Sequence, residues 1–127
     1  MSEARVGLVV THRRYVSYAA AHYAGHLVDG AYSLGLFGDV ATEVCIRTDG
    51  DEGLFASYSD VQFRAPVQAG DVLEVTATVT RMGTRSRTID FRSVVVCRGT
   101  GGSGAQVLAE PIVAVTATGT VVVPARS

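Results

Sequence analysis

The stretch AHYAGHLVDGAYSLGLFGDVATE, residues 21–43, contains the start of the one long helical pattern in the chain. After Asp29, apolar residues recur at steps of three and four, the spacing of one helix face, at Leu34, Phe37, Val40, Ala41 and Val44. Asp29 is a suitable N-cap, and Gly30 follows it. Asp39 and Glu43 stand four residues apart in this apolar segment and therefore share a face. The sequence predicts a largely buried helix with two neighbouring carboxylates.

The rest of the chain is β-like, and this character begins after Cys45. Five strands are predicted: RVGLVV (5–10), LFASYSDVQFRAP (54–66), VLEVTATVTRM (72–82), RTIDFRSVVVCR (87–98) and VLAEPIVAVTATGTVVV (107–123). The segment GTGGSGA (99–105) is predicted to be a flexible loop, and Glu110-Pro111 to interrupt the last strand. Hairpin connections predict a single α+β domain over residues 1–127, with an antiparallel sheet packed on the helix. Because one sheet covers only half of the helix, an oligomer is expected.

Composition excludes several classes of function. All 11 basic residues are arginine, so the chain has no lysine for a Schiff base or for anchoring pyridoxal phosphate. A net charge of −1 without a basic stripe argues against a nucleic-acid partner. Cys45 and Cys97 match no metal or redox spacing, so two reduced, buried thiols and no metal site are predicted. No signal peptide or apolar run long enough to cross a membrane is found, so a cytoplasmic protein without membrane contact is expected.

Two longer segments resemble the hotdog enzymes, in which an antiparallel β-sheet wraps around one long central helix. RAPVQAGDVLEVTATVTRMGTRS (64–86) is similar to their segment of Pro, Gly-Asp, a long strand and Gly-x-x-Ser. HYAGHLVDG, within the opening stretch, resembles the signature of the acyl-thioester dehydratases of this fold. The resemblance implies a hotdog fold and an acyl-CoA thioester as the substrate.

A closer resemblance is to the small acyl-CoA ammonia-lyases, the family that acts on 3-aminobutyryl-CoA and β-alanyl-CoA. It is carried by AHYAGHLVDGA, FGDVATE, DGDEGLFASY, FRAPVQAGD and AEPIVAVTATG. It covers nearly the whole chain and departs in residues 16–21 and in GTGGSGA. The resemblance implies reversible elimination of ammonia from a short-chain 3-aminoacyl-CoA to give the enoyl-CoA. It is equally compatible with a role in lysine degradation and with a role in making a β-amino acid building block.

Such an elimination needs a base for the proton beside the thioester carbonyl, donors for the enolate oxygen and a site for the amine. The thioester itself makes the proton acidic, so no cofactor is expected, and coenzyme A is part of the substrate. Asp39 is predicted to be the principal acid/base and Glu43 the second carboxylate. Their mutual repulsion and burial are expected to raise the pKa of one of them. His22 matches the histidine of the dehydratase signature, which implies proton transfer or substrate positioning.

The remaining predicted site residues bind the substrate. Gly25 and Gly30 allow the backbone to approach closely, and the N–H groups of Gly30 and Ala31 are expected to face the thioester oxygen. Asp29 caps this turn, and Tyr23 either donates a hydrogen bond to substrate or packs in the core.

The pyrophosphate of coenzyme A needs cations. Four arginines lie near predicted turns and strand ends: Arg64, Arg81, Arg85 and Arg87. Arg64 and Arg85 are the preferred candidates. His26 and His12 are predicted to be structural and surface residues.

Three other functions remain open at this stage. An acyl-CoA thioesterase would use Asp39 or Glu43 to activate water, and an enoyl-CoA hydratase would add water with nearly the same groups. A non-catalytic module would only bind acyl-CoA. The sequence leaves the acyl-chain length, the physiological direction and the size of the homo-oligomer, a dimer or a dimer-based higher assembly, undetermined.

Overall fold

A computed structural model describes residues 5–125 of the chain. One long helix, α1, runs from Gly30 to Asp49. Two strands precede it along the chain and five follow it. The strands are β1 (Val9–Tyr15), β2 (Leu27–Val28), β3 (Leu54–Phe63), β4 (Val67–Gln68), β5 (Val72–Met82), β6 (Ser86–Gly101) and β7 (Gly104–Val122). Two single 3₁₀ turns, Tyr18–Ala20 and Ala24–His26, lie between β1 and β2.

The main sheet has five antiparallel strands in the order β1-β5-β6-β7-β3. Hairpins join β5 to β6 and β6 to β7, which places the long strands at its centre. The two short strands, β2 and β4, form a separate ladder in which Leu27 pairs with Gln68. This ladder holds the chain that enters the helix against the chain that enters β5.

The helix has well-defined ends because the sequence supplies both caps. The Asp29 side chain accepts a hydrogen bond from the N–H of Tyr32 at 3.1 Å, which satisfies one of the unpaired donors of the first turn. Gly50 ends the helix in the left-handed conformation, with φ of 67°. The helix therefore continues four residues beyond Cys45, where the sequence had indicated a change to β-structure.

The apolar face of α1 packs on the sheet through Phe37, whose ring stacks on Phe91 of β6 with centroids 5.0 Å apart. Gly119 on the neighbouring strand makes room for this arrangement. A Cβ at Gly119 would lie 2.6 Å from the Phe55 ring and 2.8 Å from the Phe91 ring. Only glycine fits there, so the packing of the aromatic core requires a residue without a side chain at position 119.

The predicted arrangement of one long helix on an antiparallel sheet is confirmed, and the irregularity predicted near Pro111 is confirmed as a register shift. Two boundaries are wrong. The first strand lies at Val9–Tyr15 rather than at residues 5–10, because its pairing with β5 fixes the polar half of the segment. GTGGSGA is not a free loop, since β6 and β7 continue into it until Gly101 pairs with Gly104.

Two further structural findings bear on the sequence predictions. Cys45 and Cys97 are both free thiols, but only Cys45 is buried, while Cys97 is partly exposed. Among residues 5–125, no helix is long and apolar enough to cross a membrane.

Candidate active site

A cavity of about 430 Å³ opens at the N-terminus of α1. Its walls come from the end of β2, the first turn of the helix, the end of β3 and the segment that leads into β4. Its lining includes Asp29, Gly30, Ser33, Phe63, Arg64 and Pro66. The first N–H groups of a helix have no carbonyl acceptor within the helix, and the helix dipole is positive at this end. The cavity is thus suited to a ligand with an electronegative oxygen.

Gly30 brings an aromatic ring onto this helix end. A Cβ on Gly30 would lie 2.5 Å from Cε1 of Phe63, closer than atoms can approach. The Phe63 ring is 59% exposed and is therefore free to take part in a contact outside the protomer. Close approach at Gly30 was predicted from the sequence, but its packing partner was not.

Ser33 is a cavity residue that the sequence analysis missed. It lies one turn beyond Gly30 on the same helix face and is only 2% exposed. Within residues 5–125, its hydroxyl has no hydrogen-bond partner. The available signal was a small polar residue three positions after Gly30, in the apolar half of the helix.

Asp39 lies far from this cavity in the same protomer. Nine residues separate it from Gly30, which corresponds to about 14 Å along the helix axis. Its side chain is 60% exposed, with Arg14 Nη2 3.4 Å from Oδ2. It lines a smaller cavity of about 230 Å³ together with Phe55 and other residues at the start of β3.

Glu43 is held by two neighbouring side chains, His12 and Arg47. Its Oε1 lies 2.7 Å from Nε2 of His12 on β1, and its Oε2 accepts a 2.7 Å hydrogen bond from Nε of Arg47. Hydrogen bonding to His12, then to Arg47, lowers the pKa of Glu43. The raised pKa predicted for one of the two carboxylates is therefore not at Glu43, and the burial expected for the pair is wrong for Asp39, whose side chain is 60% exposed. The prediction of His12 as a plain surface residue is also wrong.

His22 and Tyr23 lie outside the helix cavity. Their backbone N–H groups both donate to the carbonyl of Leu27, at 2.8 and 3.0 Å, and their rings meet edge to face at 4.6 Å. Both side chains are exposed. Gly25 and His26 adopt left-handed backbone angles, φ 72° and 62°, which turn the chain back toward β2.

His26 packs edge-on against Tyr18, and both rings border a third cavity of about 320 Å³ together with Gly25. Ala31 is exposed at the start of the helix.

The candidate arginines have different environments. Arg64 borders the helix cavity, and its Nε donates to Thr116 Oγ1 at 3.2 Å. Arg85 lies in another cavity beside the helix C-terminus and donates to the carbonyl of Val123. Arg87 is buried and forms a bidentate ion pair with Asp49, with its shortest contact 2.7 Å. Arg87 therefore fastens the end of α1 to β6 and is not a free cation for coenzyme A.

A buried ion pair supports the cavity rim. Asp71 is fully buried and accepts hydrogen bonds from Arg98 Nε at 3.0 Å and Nη2 at 2.9 Å. It also accepts from the N–H of Gln68 at 2.8 Å, while Arg98 donates to the carbonyl of Pro66. Pro66 and Val67 line the cavity, so the pair fixes one of its walls. Over residues 5–125, no three His, Cys, Asp or Glu side chains are placed to bind a metal together.

Comparison with known proteins gives a consistent result. Residues 16–105 match the family model of the thioesterase superfamily. The chain is 54% identical over 107 residues to the 3-aminobutyryl-CoA ammonia lyase of Acetoanaerobium sticklandii, covering 82% of this chain and 85% of that protein. The chain belongs to the acyl-CoA ammonia-lyase family of the thioesterase superfamily.

Solved structures agree with membership in the ammonia-lyase family. The β-alanyl-CoA:ammonia lyase from Clostridium propionicum superimposes with a TM-score of 0.89 at 35% identity, over 93% of this chain and 86% of that one. An acyl-CoA hydrolase from Staphylococcus aureus, solved with butyryl coenzyme A, has a TM-score of 0.71 at 19% identity, over 90% of this chain and 64% of that one. The second similarity establishes only the fold. The predicted hotdog fold is confirmed.

Proposed function

We propose that this protein catalyses the reversible elimination of ammonia from a short-chain 3-aminoacyl-CoA to give the enoyl-CoA. The observation that carries the proposal is its relationship to two proteins named as ammonia lyases, at 54% and 35% identity. Together with its family membership, this makes the protein a carbon–nitrogen lyase. The chain length of the acyl group, the physiological direction, the place in lysine degradation and a cytoplasmic location stay predictions.

The cavity at the helix N-terminus suits the thioester end of such a substrate. In our proposal, the N–H groups of Gly30 and Ala31 and the helix dipole stabilise the oxygen that becomes negative when the enolate forms. The cavity, of about 430 Å³, has room for a small acyl group. Arg64 at the rim is the candidate for coenzyme A, and Arg85, at the other end of the helix, is a second. Besides ammonia, the acyl thioester is the only small-molecule partner that the proposal needs, and the proposal involves no separate cofactor.

The carboxylates supply the proton transfer and the amine site. Asp39 is proposed as the acid/base group that removes the proton beside the carbonyl. Glu43, whose pKa is lowered by His12 and Arg47, stays anionic at neutral pH and is proposed to hold or orient the ammonium form of the amine. His22 is proposed to assist at the carbon that carries the nitrogen, with Tyr23 and the turn at Gly25 forming its surroundings.

These groups cannot act together within one protomer. The proton to be removed is on the carbon next to the carbonyl, whereas Asp39 lies about 14 Å along the helix from Gly30. We therefore propose a homodimer, or a higher assembly of dimers, in which the helix N-terminus of one copy meets Asp39 of another. The exposed Phe63 and Leu54 on the edge strand β3 support this proposal, because such residues are commonly covered in an oligomer.

The test uses purified full-length protein with crotonyl-CoA, with and without ammonium, while enoyl-thioester absorbance and free thiol are both followed. Loss of absorbance that requires ammonium, without thiol release, is the expected result. Thiol release without ammonium would instead indicate a thioesterase, and loss of absorbance in water alone a hydratase. Binding of acyl-CoA without any turnover would indicate a binding module.

Asp39→Asn tests the assignment of the base. The variant is expected to abolish turnover and leave the melting curve unchanged, because the replaced side chain is exposed. Asp90→Asn is the matched control, since Asp90 is also exposed and its contact with Thr118 survives in asparagine. Full activity of the Asp39 variant would show that another group removes the proton.

A further inference from the structure

Ser33 carries a hydroxyl that nothing described so far uses. The residue is 98% buried, lines the cavity at the helix N-terminus and has no hydrogen-bond partner within residues 5–125. Another hydroxyl of the same helix shows how such a group is normally satisfied. Thr42 Oγ1 donates to the carbonyl of Gly38 one turn back, at 3.0 Å. Ser33 makes no such bond to its own helix, which leaves the hydroxyl available to a ligand.

The position of Ser33 selects the kind of ligand atom. Gly30 and Ser33 are three residues apart and therefore lie on one helix face, at the end where the dipole favours negative charge. An ammonium group would be repelled there. The surrounding wall includes the apolar residues Val28, Phe63 and Val115, and Ser33 is more buried than the charged residues Asp29 and Arg64 that also line the cavity.

We propose that the Ser33 hydroxyl donates a hydrogen bond to the carbonyl oxygen of the bound acyl thioester. The inference rests on the proposed function and adds a third donor to the N–H groups of Gly30 and Ala31. As the base takes the proton from the carbon beside the carbonyl, the electron pair of that C–H bond moves to form the enolate. Negative charge then develops on the oxygen that Ser33 contacts. When the C–N bond breaks, its electron pair leaves with the nitrogen as ammonia. The charge on the oxygen returns to form the carbon–carbon double bond and the carbonyl, and Ser33 keeps its own proton throughout.

A nucleophilic role does not fit the same residue. A serine nucleophile needs a base within hydrogen-bond distance, and within one protomer no side chain of residues 5–125 hydrogen-bonds Ser33. Attack of the hydroxyl on the thioester would also release coenzyme A, whereas the proposed elimination keeps the thioester intact. Donation to the substrate oxygen needs no such partner. The contact would be made in the ground state and would strengthen in the transition state, which is where a donor of this kind increases the rate.

The experiment compares Ser33→Ala with Ser93→Ala in the full-length protein. Ser93 is a matched control because it is fully buried and its hydroxyl is also unpaired, yet it does not line this cavity. Each variant receives crotonyl-CoA labelled with ¹³C at the carbonyl, without ammonium, and the carbonyl stretch of the bound ligand is measured by infrared difference spectroscopy. kcat and KM are then measured with ammonium.

Binding to the wild type is expected to lower the stretching frequency, and Ser33→Ala to lose part of that shift. Its kcat should fall about 100-fold, the usual effect of removing one such donor, with KM nearly unchanged. Ser93→Ala should match the wild type in both measurements. Ser33→Cys, which keeps the size but donates weakly, is the second variant in case the alanine form does not fold, and should show the same loss.

The proposal is overturned if the Ser33 variants keep the wild-type shift, or if Ser93→Ala loses as much as they do. Its failure is distinguishable from that of the proposed function. A shift that depends on Ser33 without turnover in ammonium would retain the contact and reject the lyase. Turnover in ammonium, with the frequency shift unchanged in the Ser33 variants, would retain the lyase and reject the contact.

Discussion

Replacement of Asp71 by alanine tests whether the cavity wall depends on the buried pair with Arg98. Asp71 has no exposed surface and accepts three hydrogen bonds of 2.8–3.0 Å, two from Arg98 and one from the N–H of Gln68. The alanine variant would leave the Arg98 guanidinium without its counter-charge and the N–H of Gln68 without its acceptor. Removing one partner of a buried pair costs about 3–5 kcal/mol. Because the Arg98 side chain is 20% exposed and keeps some contact with water, about 3 kcal/mol is expected.

The assay is urea unfolding at one fixed protomer concentration, since assembly would otherwise shift the apparent stability. Asp71→Asn is the conservative variant, because its amide oxygen can still accept from the N–H of Gln68, while the charge and one of the two acceptors for Arg98 are lost. Its loss should be smaller than that of Asp71→Ala. Glu74→Ala is the matched control, since Glu74 pairs with Arg13 at 2.9 Å on the surface. Such a pair contributes only about 0–1 kcal/mol.

Weakening the pair of Asp71 with Arg98 should make the cavity wall at Pro66 and Val67 more mobile. Pro66 accepts a hydrogen bond from Arg98, and Val67 continues into the β2–β4 ladder beside the helix cap. In Asp71→Asn, amide hydrogen exchange in β4 should therefore become faster while exchange in β5 and β6 stays slow. Equal losses of stability in Asp71→Ala and Glu74→Ala would refute the reasoning, and so would unchanged exchange in β4.

Two other expectations follow from titrating groups. The pKa of Glu43 is lowered by His12 and Arg47 from its ordinary value near 4.5, so the stabilisation is complete above that pH and is lost as the pH falls through the lowered value. Glu43→Gln should therefore flatten the acid limb of a stability–pH curve and leave the curve near neutrality parallel to the wild type, whereas an unchanged acid limb would contradict the pairing. Burial raises the pKa of Cys45 to about 11. Maleimide should thus label Cys97 alone in the native protein and both thiols in urea, and fast labelling of Cys45 would show that its site is open.

Local signals predicted most of the fold. Asp29 and Gly50 mark the helix ends through chemistry that acts within a few residues, and the alternation in 72–82 gave the bounds of β5 without error. The first strand was misplaced because its polar residues do not resemble a strand core. His12 and Arg14 are two residues apart and lie on the same face of β1. His12 contacts Glu43 of the helix, and Arg14 contacts Asp39. That meeting depends on tertiary structure, which no local window of the sequence contains.

The candidate site was predicted only in part for the same reason. Gly30 and the helix N-terminus follow from the cap, but the unpaired hydroxyl of Ser33 is visible only when its neighbours are known. Pairing of Glu43 with His12 joins residues 31 positions apart. That hydrogen bond is the first cause of the lowered pKa of Glu43, and a pairing over this separation is not visible in the sequence.

The proposed role of Asp39 as the base requires a catalytic unit larger than one chain. Nine residues of rise separate Gly30 from Asp39, and a rigid helix cannot bend to bring its own first turn to its third. In the proposed reaction, the hydrogen-bond donor and the base must reach the same acyl group. The donor contacts the carbonyl oxygen, and the base contacts the proton on a carbon only two bonds away. Either the carboxylates act on a substrate bound by a second copy, or they do not act on the substrate. The loss or retention of turnover in Asp39→Asn decides between these alternatives, and a loss would make assembly a requirement for catalysis.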